Sequence, residues 1–349
     1  MSGYRVAVAG ATGAVGTLML EVLRRSSLPI AEVVPFATER SEGRRLELAD
    51  QPVRVMRDDT IDGFDLALFS AGGSTSREWA PRFVEAGAVV VDNSSAWRMH
   101  EDVPLVVSEV NPDALAGHNG IVANPNCTTM VAMLPLKALH DAFGLRTLVA
   151  TSYQAAGGAG QKGIDELAAQ VEPVGRDLDL LVNDGNRARM MVESNVHADT
   201  LAYNVVPMLG TLGEGGYTDE ELKLQNESRK ILALPDLAVS PTCVRVPVMV
   251  GHAVACRAGF EGPVDLEAAL EALEQFPNLV VQDAPTPLEW AGRDEVAVGR
   301  VRPDLADPAA LNLFVVGDNL LKGAALNTVQ SAERLHERDL VRPRVEAAT

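Results

Sequence analysis

Short apolar runs at residues 6–9, 32–37, 66–70, 89–91 and 105–107 alternate with stretches whose apolar positions recur at helical spacing. That alternation predicts βαβ units around a parallel sheet. Past Asn124 the pattern changes. Residues 127–143 predict a helix and residues 147–152 a strand, and 244–250, 254–260, 279–282 and 311–316 predict a larger, mostly antiparallel sheet. Residues 322–337 predict a helix that packs back on the first part of the chain. Residues 172–200 are crowded with charges and Asn, Asp and Gly positions, which predicts an irregular or partner-contacting excursion.

Length gives this change of pattern a meaning. A chain of 349 residues exceeds one ordinary core. Residues 1–126, joined by a C-terminal helix at about 322–349, are therefore expected to form one domain, and residues 127–321 a second. The composition, 47% hydrophobic and 22% charged, is globular, and no apolar run approaches the ~20 residues of a membrane span. Residues 4–9 read as a strand entering a glycine loop and not as a signal peptide, so a cytoplasmic location is expected. A net charge of −18, without a basic cluster to offset it, argues against nucleic-acid binding. It also requires any anion site to be built from a few locally placed cations. Cys127, Cys243 and Cys256 lack metal-ligand or redox-pair spacing, so no metal and no disulfide framework is expected.

Gly10, Gly13 and Gly16 follow the first strand and open a helical segment. Glycines in this place bring backbone N–H groups against a pyrophosphate at a helix N-terminus, with Gly10, Thr12, Gly13, Ala14 and Val15 as the contact residues. A bare triple glycine is also compatible with a plain tight turn; its place at the first βα junction favours the dinucleotide. The second strand ends near Ala37 without the acidic residue usual for a ribose 2′-OH. Thr38, Arg40 and Ser41 suit a 2′-phosphate instead, which favours NADP over NAD; Glu39 is the awkward neighbour, and a solvated charged loop is the alternative.

Cys127 lies in Asn-Pro-Asn-Cys-Thr-Thr ahead of an apolar helical stretch, hence near a helix N-terminus where a thiolate is favoured. Lowering a thiol pKa from about 8.5 to about 6.5 raises the ionised fraction at pH 7 from ~3% to roughly 75%. Cys243 and Cys256 read as small buried hydrophobes. Thioester chemistry needs a partner that works near neutrality, and of six histidines His252 alone sits in an apolar, strand-like stretch, together with Arg245. On a flat strand these two face opposite sides, so a shared site requires a bend at Pro247 or Gly251; a satisfied core histidine is the alternative.

The glycine loop, the Asn124–Thr129 motif, and Arg245 with His252 together resemble the bacterial aspartate-β-semialdehyde dehydrogenase family. The likeness extends over residues 92–99, 152–160, 218–232 and 316–323, nearly the whole chain. It implies an α/β protein with a Rossmann-like dinucleotide-binding domain and an α+β catalytic and dimerisation domain of the glyceraldehyde-phosphate-dehydrogenase-like kind. It further implies Cys127 as acyl nucleophile, His252 as acid/base, and Gln154 holding the acyl intermediate. Asn126 would place the phosphoryl group, Arg98 bind phosphate, Arg245 bind the substrate α-carboxylate, and Glu220 with Lys223 contact the amino group and phosphate. The nicotinamide of NADP would lie near Gly157, Gly158 and Asn319, and the adenosine near Arg40 and Ser41. Aspartyl phosphate, aspartate semialdehyde and phosphate are the implied small molecules, and a homodimer through an exposed sheet face the implied assembly. Glu220 and Lys223 also read as an ordinary helical surface pair, while Thr218 and Glu221 read as a capping box. The rivals are N-acetyl-γ-glutamyl-phosphate reductase, whose cysteine follows Pro-Gly, glyceraldehyde-phosphate dehydrogenase, and a non-catalytic dinucleotide-binding homologue.

Overall fold

The computed structural model describes residues 3–342. The chain forms two compact units: one comprises residues up to Asn126, Lys230–Leu232 and residues from Gly323 onward, the other Cys127–Arg229 and Ala233–Lys322.

In the first unit, strands β1 (Tyr4–Ala9), β2 (Ile30–Phe36), β3 (Leu66–Phe69), β4 (Val89–Asp92) and β5 (Ile121–Ala123) pair in the order β2-β1-β3-β4-β5, all parallel. Every residue of β3 and β4 is buried, as expected of strands covered on both faces. Helices α1 (Ala14–Arg24) and α2 (Gly73–Glu85) follow β1 and β3, and a C-terminal helix, Leu326–Glu337, packs against α1, β3 and β4. The helix expected over about 322–349 is shorter: a π turn at Leu321–Ala325 leads into it, it ends at Glu337, residues 338–342 are not helical, and residues 343–349 lie outside the described residues. Residues 105–107 do not form the expected strand. Leu105 makes a lone bridge to Ala123, and the chain then turns, with Val107 N–H donating to Asn111 Oδ1. The edge strand is β5, three residues long and too short to show a period.

The second unit is built on a six-stranded sheet, ordered β7-β6-β8-β11-β10-β9: β6 (Leu145–Gln154), β7 (Ala238–Arg245), β8 (His252–Phe260), β9 (Leu279–Val281), β10 (Val296–Pro303) and β11 (Ala310–Gly317). Its centre is antiparallel, while β6–β7 and β9–β10 at the two edges are parallel. Helices α3 (Cys127–Phe143) and α4 (Gln161–Gly175) precede and follow β6. Residues 172–200 hold the end of α4 and two short helices, α5 (Leu178–Asn183) and α6 (Gly185–Arg189), anchored by Gln170, whose side chain bonds the backbone of Glu193, Leu201 and Ala202. Helix α7 (Asp219–Leu232) carries the expected capping box: Thr218 N–H donates to Glu221 Oε2 (2.8 Å) and Glu221 N–H to Thr218 Oγ1 (3.3 Å).

The expected strand at 244–250 is corrected. The strand is β7, ending at Arg245; the chain leaves the sheet, turns at Gly251 (φ +99°), a conformation glycine adopts readily, and re-enters as β8 at His252. The two strands flank β6, with Arg245 in register with Gln154 and Ala253 with Tyr153. Arg245, His252 and Gln154 thus meet at one end of three adjacent strands.

Candidate active site

Cys127 begins α3, and its Sγ lies 3.2 Å from His252 Nε2. The cysteine is partly accessible whereas His252 is fully buried. The other ring nitrogen, Nδ1, accepts the backbone N–H of Ala155 at 3.0 Å. Burial, reinforced by the nearby Arg245 guanidinium and only weakly opposed by the backbone of Gly251, pushes the His252 pKa down to about 3, so the ring is neutral near pH 7.

Ala155 serves a second residue. Its carbonyl accepts Arg245 Nη1 at 2.8 Å, the one hydrogen bond this guanidinium makes within the protein among the described residues. Burial lowers the Arg245 pKa, with Cys127 and Glu220 opposing, yet a guanidinium stays charged at any ordinary pH. Its remaining donors are what a carboxylate ligand requires.

Gln154 is 1% exposed and held at both ends of its amide. Ser152 Oγ donates to Oε1 (2.9 Å), and Nε2 donates to Glu220 Oε1 (3.0 Å). Glu220 Oε2 accepts Lys223 Nζ at 3.2 Å, and Lys223 also donates to Asp219 Oδ2 at 2.7 Å. Burial depresses the Lys223 pKa, but Glu220 and Asp219 together outweigh it and the net shift is upward. The pair at 220 and 223 therefore belongs to a hydrogen-bonded row reaching Gln154, not to a plain surface. Glu221 spends its carboxylate on the cap and on Cys243 N–H (3.1 Å).

Ser152, Asp219 and the Ala155 peptide were not among the sequence candidates. Ser152 carried a signal, since it shares a strand face with Gln154 two residues on. A backbone amide carries none.

Asn319 is 1% exposed; its Oδ1 accepts Gly251 N–H (2.8 Å) while Nδ2 has no hydrogen-bond partner among the described residues. A Cβ at Gly157 would lie 3.6 Å from that Nδ2 and 2.9 Å from the Met249 carbonyl, and a Cβ at Gly158 only 2.6 Å from Arg245 Nη1. The missing side chains keep the space before these groups open.

In the first unit, Gly10 (φ +81°) turns the chain out of β1, and a Cβ on Gly16 would fall 2.1 Å from the Gly10 carbonyl. Gly13 heads α1 with no side chain capping it, and Thr12 is exposed, with Ala14 and Val15 half-buried in the first turn. Thr38 precedes the short 3-10 turn Glu39–Ser41; Thr38 and Arg40 are exposed, and among the described residues no carboxylate forms an ion pair with Arg40, whereas Glu42 is taken by Arg57. Arg98 is 8% exposed, donating from Nε to the Asn124 carbonyl (2.9 Å) and from Nη2 to that of Asn93 (2.7 Å), while Lys230 Nζ holds the Arg98 carbonyl (2.9 Å). Asn126 is 8% exposed and immediately precedes Cys127.

Two family models match the chain: semialdehyde dehydrogenase, NAD binding domain, over residues 5–118, and semialdehyde dehydrogenase, dimerisation domain, over residues 136–322. The aspartate-semialdehyde dehydrogenase of Streptomyces akiyoshiensis is 48% identical over 332 residues, 94% of this chain and 97% of that protein. The chain belongs to the aspartate-semialdehyde dehydrogenase family. The Corynebacterium glutamicum member is 49% identical over 342 residues, covering 95% and 98% of the two chains. A solved structure of aspartate semialdehyde dehydrogenase II from Vibrio cholerae, complexed with ASA, superposes with a TM-score of 0.89 at 41% identity over 97% of this chain and 99% of that one. No helix of the described residues is long and apolar enough to cross a membrane.

Proposed function

We propose that the chain catalyses the NADP-dependent, reversible reductive dephosphorylation of L-4-aspartyl phosphate to L-aspartate 4-semialdehyde, through a thioester on Cys127, in biosynthesis of the aspartate-derived amino acids. The observation that carries this is the Cys127 Sγ to His252 Nε2 contact of 3.2 Å at the start of α3, beside a guanidinium with donors to spare. The sulfur attacks the acyl phosphate carbonyl and phosphate departs. His252, 3.2 Å from Sγ, serves as acid/base and protonates the departing thiolate. Arg245 grips the α-carboxylate, Glu220 faces the substrate ammonium, and Gln154, fixed by Ser152 and Glu220, holds the acyl group. Lys223, Arg98 and Asn126 serve the phosphoryl group, supplying the local cations an acidic chain needs. The N-terminal amides of α3 stabilise the tetrahedral oxyanion.

NADPH, when bound, supplies the hydride. The glycine turn of residues 10–16 and the uncapped α1 fit its pyrophosphate, Arg40 with Thr38 and Ser41 its 2′-phosphate, and the unpartnered Asn319 Nδ2, fronted by Gly157 and Gly158, its carboxamide. A homodimer forms through the outer face of the six-stranded sheet, where Val149 (44%) and Tyr153 (37%) are exposed on β6. The deciding assay is phosphate-dependent reduction of NADP by aspartate semialdehyde, run beside N-acetylglutamate semialdehyde. Preference for the acetylated aldehyde would overturn the substrate assignment, because Glu220 would then face no free amine.

A further inference from the structure

We propose that Asp219 is a positioning residue for the reaction: its carboxylate, seated against Gly210 and Thr211, holds the Lys223 ammonium off Glu220. Lys223 is thereby kept for the phosphoryl group, and Glu220 keeps its charge for the substrate ammonium. This deepens the reading above and rests on Lys223 serving the phosphoryl group.

Asp219 is fastened through both backbone and side chain. Its Oδ1 accepts Thr211 N–H at 2.6 Å, and its own N–H donates to the Thr211 carbonyl at 2.9 Å. A Cβ at Gly210 would fall 1.8 Å from Oδ1 and 3.3 Å from Oδ2, so the carboxylate fills the space a side chain at 210 would need. Gly210 also has φ +78°, a conformation any other residue would adopt under strain. From this seat Oδ2 accepts Lys223 Nζ at 2.7 Å. Burial alone would raise the Asp219 carboxyl, but Lys223 and the Thr211 amide outweigh it and the net shift is downward.

Lys223 lies in the first turn of α7, against the positive end of the helix dipole, and needs negative neighbours there. Glu220 is one, with Oε2 3.2 Å from Nζ, but its Oε1 already accepts Gln154 Nε2 at 3.0 Å. A closer ammonium on Oε2 would neutralise the carboxylate that faces the substrate. Asp219 takes the shorter contact instead. Two of the three ammonium protons are spent on Asp219 and Glu220, which leaves one for a phosphoryl oxygen. A purely structural task for Asp219 is already filled, because Thr218 and Glu221 close the start of α7. The Asp219–Lys223 pair is itself a part-exposed i, i+4 contact of the kind that adds little to stability. Its consequence lies in where it leaves Nζ.

Asp219→Asn keeps the size and an oxygen for Thr211 N–H but offers Lys223 no charge. At saturating NADP, KM for phosphate should rise about tenfold and that for aspartate semialdehyde about threefold, with kcat within about twofold, because Cys127 and His252 are untouched. Gly210→Ala, which drives the carboxylate from its seat with its charge intact, should raise the same two constants. An unchanged KM for phosphate in Asp219→Asn overturns the inference. So does a lower one, the result expected if loss of a negative charge merely strengthened anion binding. A second measurement does not depend on turnover. In protein carrying 13C at lysine Cε, Lys223, identified by the signal lost in Lys223→Ala, should titrate at lower pH in Asp219→Asn than in the parent. Burial lowers its pKa, and Asp219 is one of the two carboxylates that raise it. Identical titration in the two proteins overturns the inference. Lys223→Ala, assayed for phosphate, addresses the underlying reading: an unchanged KM would remove Lys223 from the phosphoryl site, while the titration would still report whether Asp219 holds it.

Discussion

Gly158→Ala adds one methyl group to an exposed residue whose φ is unstrained for alanine. Its Cβ would land 2.6 Å from Arg245 Nη1 and 3.2 Å from His252 Cε1 and Nε2, where ordinary contact begins at 3.4 Å. The guanidinium, the flexible end of a long side chain, yields first, by about 0.8 Å, which pulls it off the Ala155 carbonyl it meets at 2.8 Å. A misplacement of this size at a substrate-binding group costs about a hundredfold, equivalent to about 2.7 kcal/mol of transition-state stabilisation. The atoms nearest the new methyl group are polar side-chain ends of the site and not backbone, so Tm should stay within about 2 °C of the parent. The assay is kcat/KM for aspartate semialdehyde at saturating NADP and phosphate, with thermal melting on the same preparation. The loss should fall mainly on the semialdehyde term, because the methyl group faces Arg245. Efficiency within about threefold of the parent would refute the idea that Arg245 must stay on the Ala155 carbonyl to bind substrate.

Three further outcomes are expected. Burial pushes the thiols of Cys243 and Cys256 up to about 12, so at about pH 8 a small neutral alkylating agent should modify native protein at Cys127 alone; peptide mass mapping that finds either other thiol modified at a similar rate would contradict the burial argument. Arg40→Ala should raise the KM for NADP about tenfold or more and leave that for NAD nearly unchanged, since only NADP carries the 2′-phosphate; equal losses would assign Arg40 to structure. Glu221→Ala removes one half of the α7 cap and the acceptor for Cys243 N–H, and should destabilise by about 1–2 kcal/mol in denaturant melts; an unchanged midpoint would mean water replaces both contacts at no cost.

The first unit was readable from sequence because its strands are buried on both faces and appear as unbroken apolar runs: β3 and β4 contain no exposed residue. In the second unit β7 escaped notice over 238–243, where Pro241 and alternating exposure dilute the apolar signal. The apolar residues after Arg245 instead suggested one strand across 244–250. The need for a bend between Arg245 and His252 was nevertheless legible, because seven residues on a flat strand oppose two side chains. Gly251 supplies the turn, but what separates the residues is an interruption of the strand itself. Side chains of the site were thus visible as residue types out of place in apolar surroundings. Their partners were less so, since Asp219 and Ser152 look unremarkable in a helix start and a strand.

What sequence conceals most completely is the backbone that orients those side chains. Ala155 N–H sets the His252 ring and its carbonyl sets Arg245, yet nothing about an alanine announces either task. The next two amides, of Ala156 and Gly157, donate to the carbonyls of Val248 and Met249, which ties the segment after β6 to the turn between β7 and β8. That close approach explains the glycine at 157, whose Cβ would sit 2.9 Å from the Met249 carbonyl. The glycine at 158 follows from the functional groups themselves, since it lies against Arg245 and His252. The Gly-rich stretch after Gln154 is therefore the imprint of two backbones brought together so that one peptide can hold both a histidine and an arginine. A methyl group at Gly157 would meet backbone, which cannot step aside, and one at Gly158 a side chain, which can. Substitution at the first should therefore cost stability, and at the second catalysis.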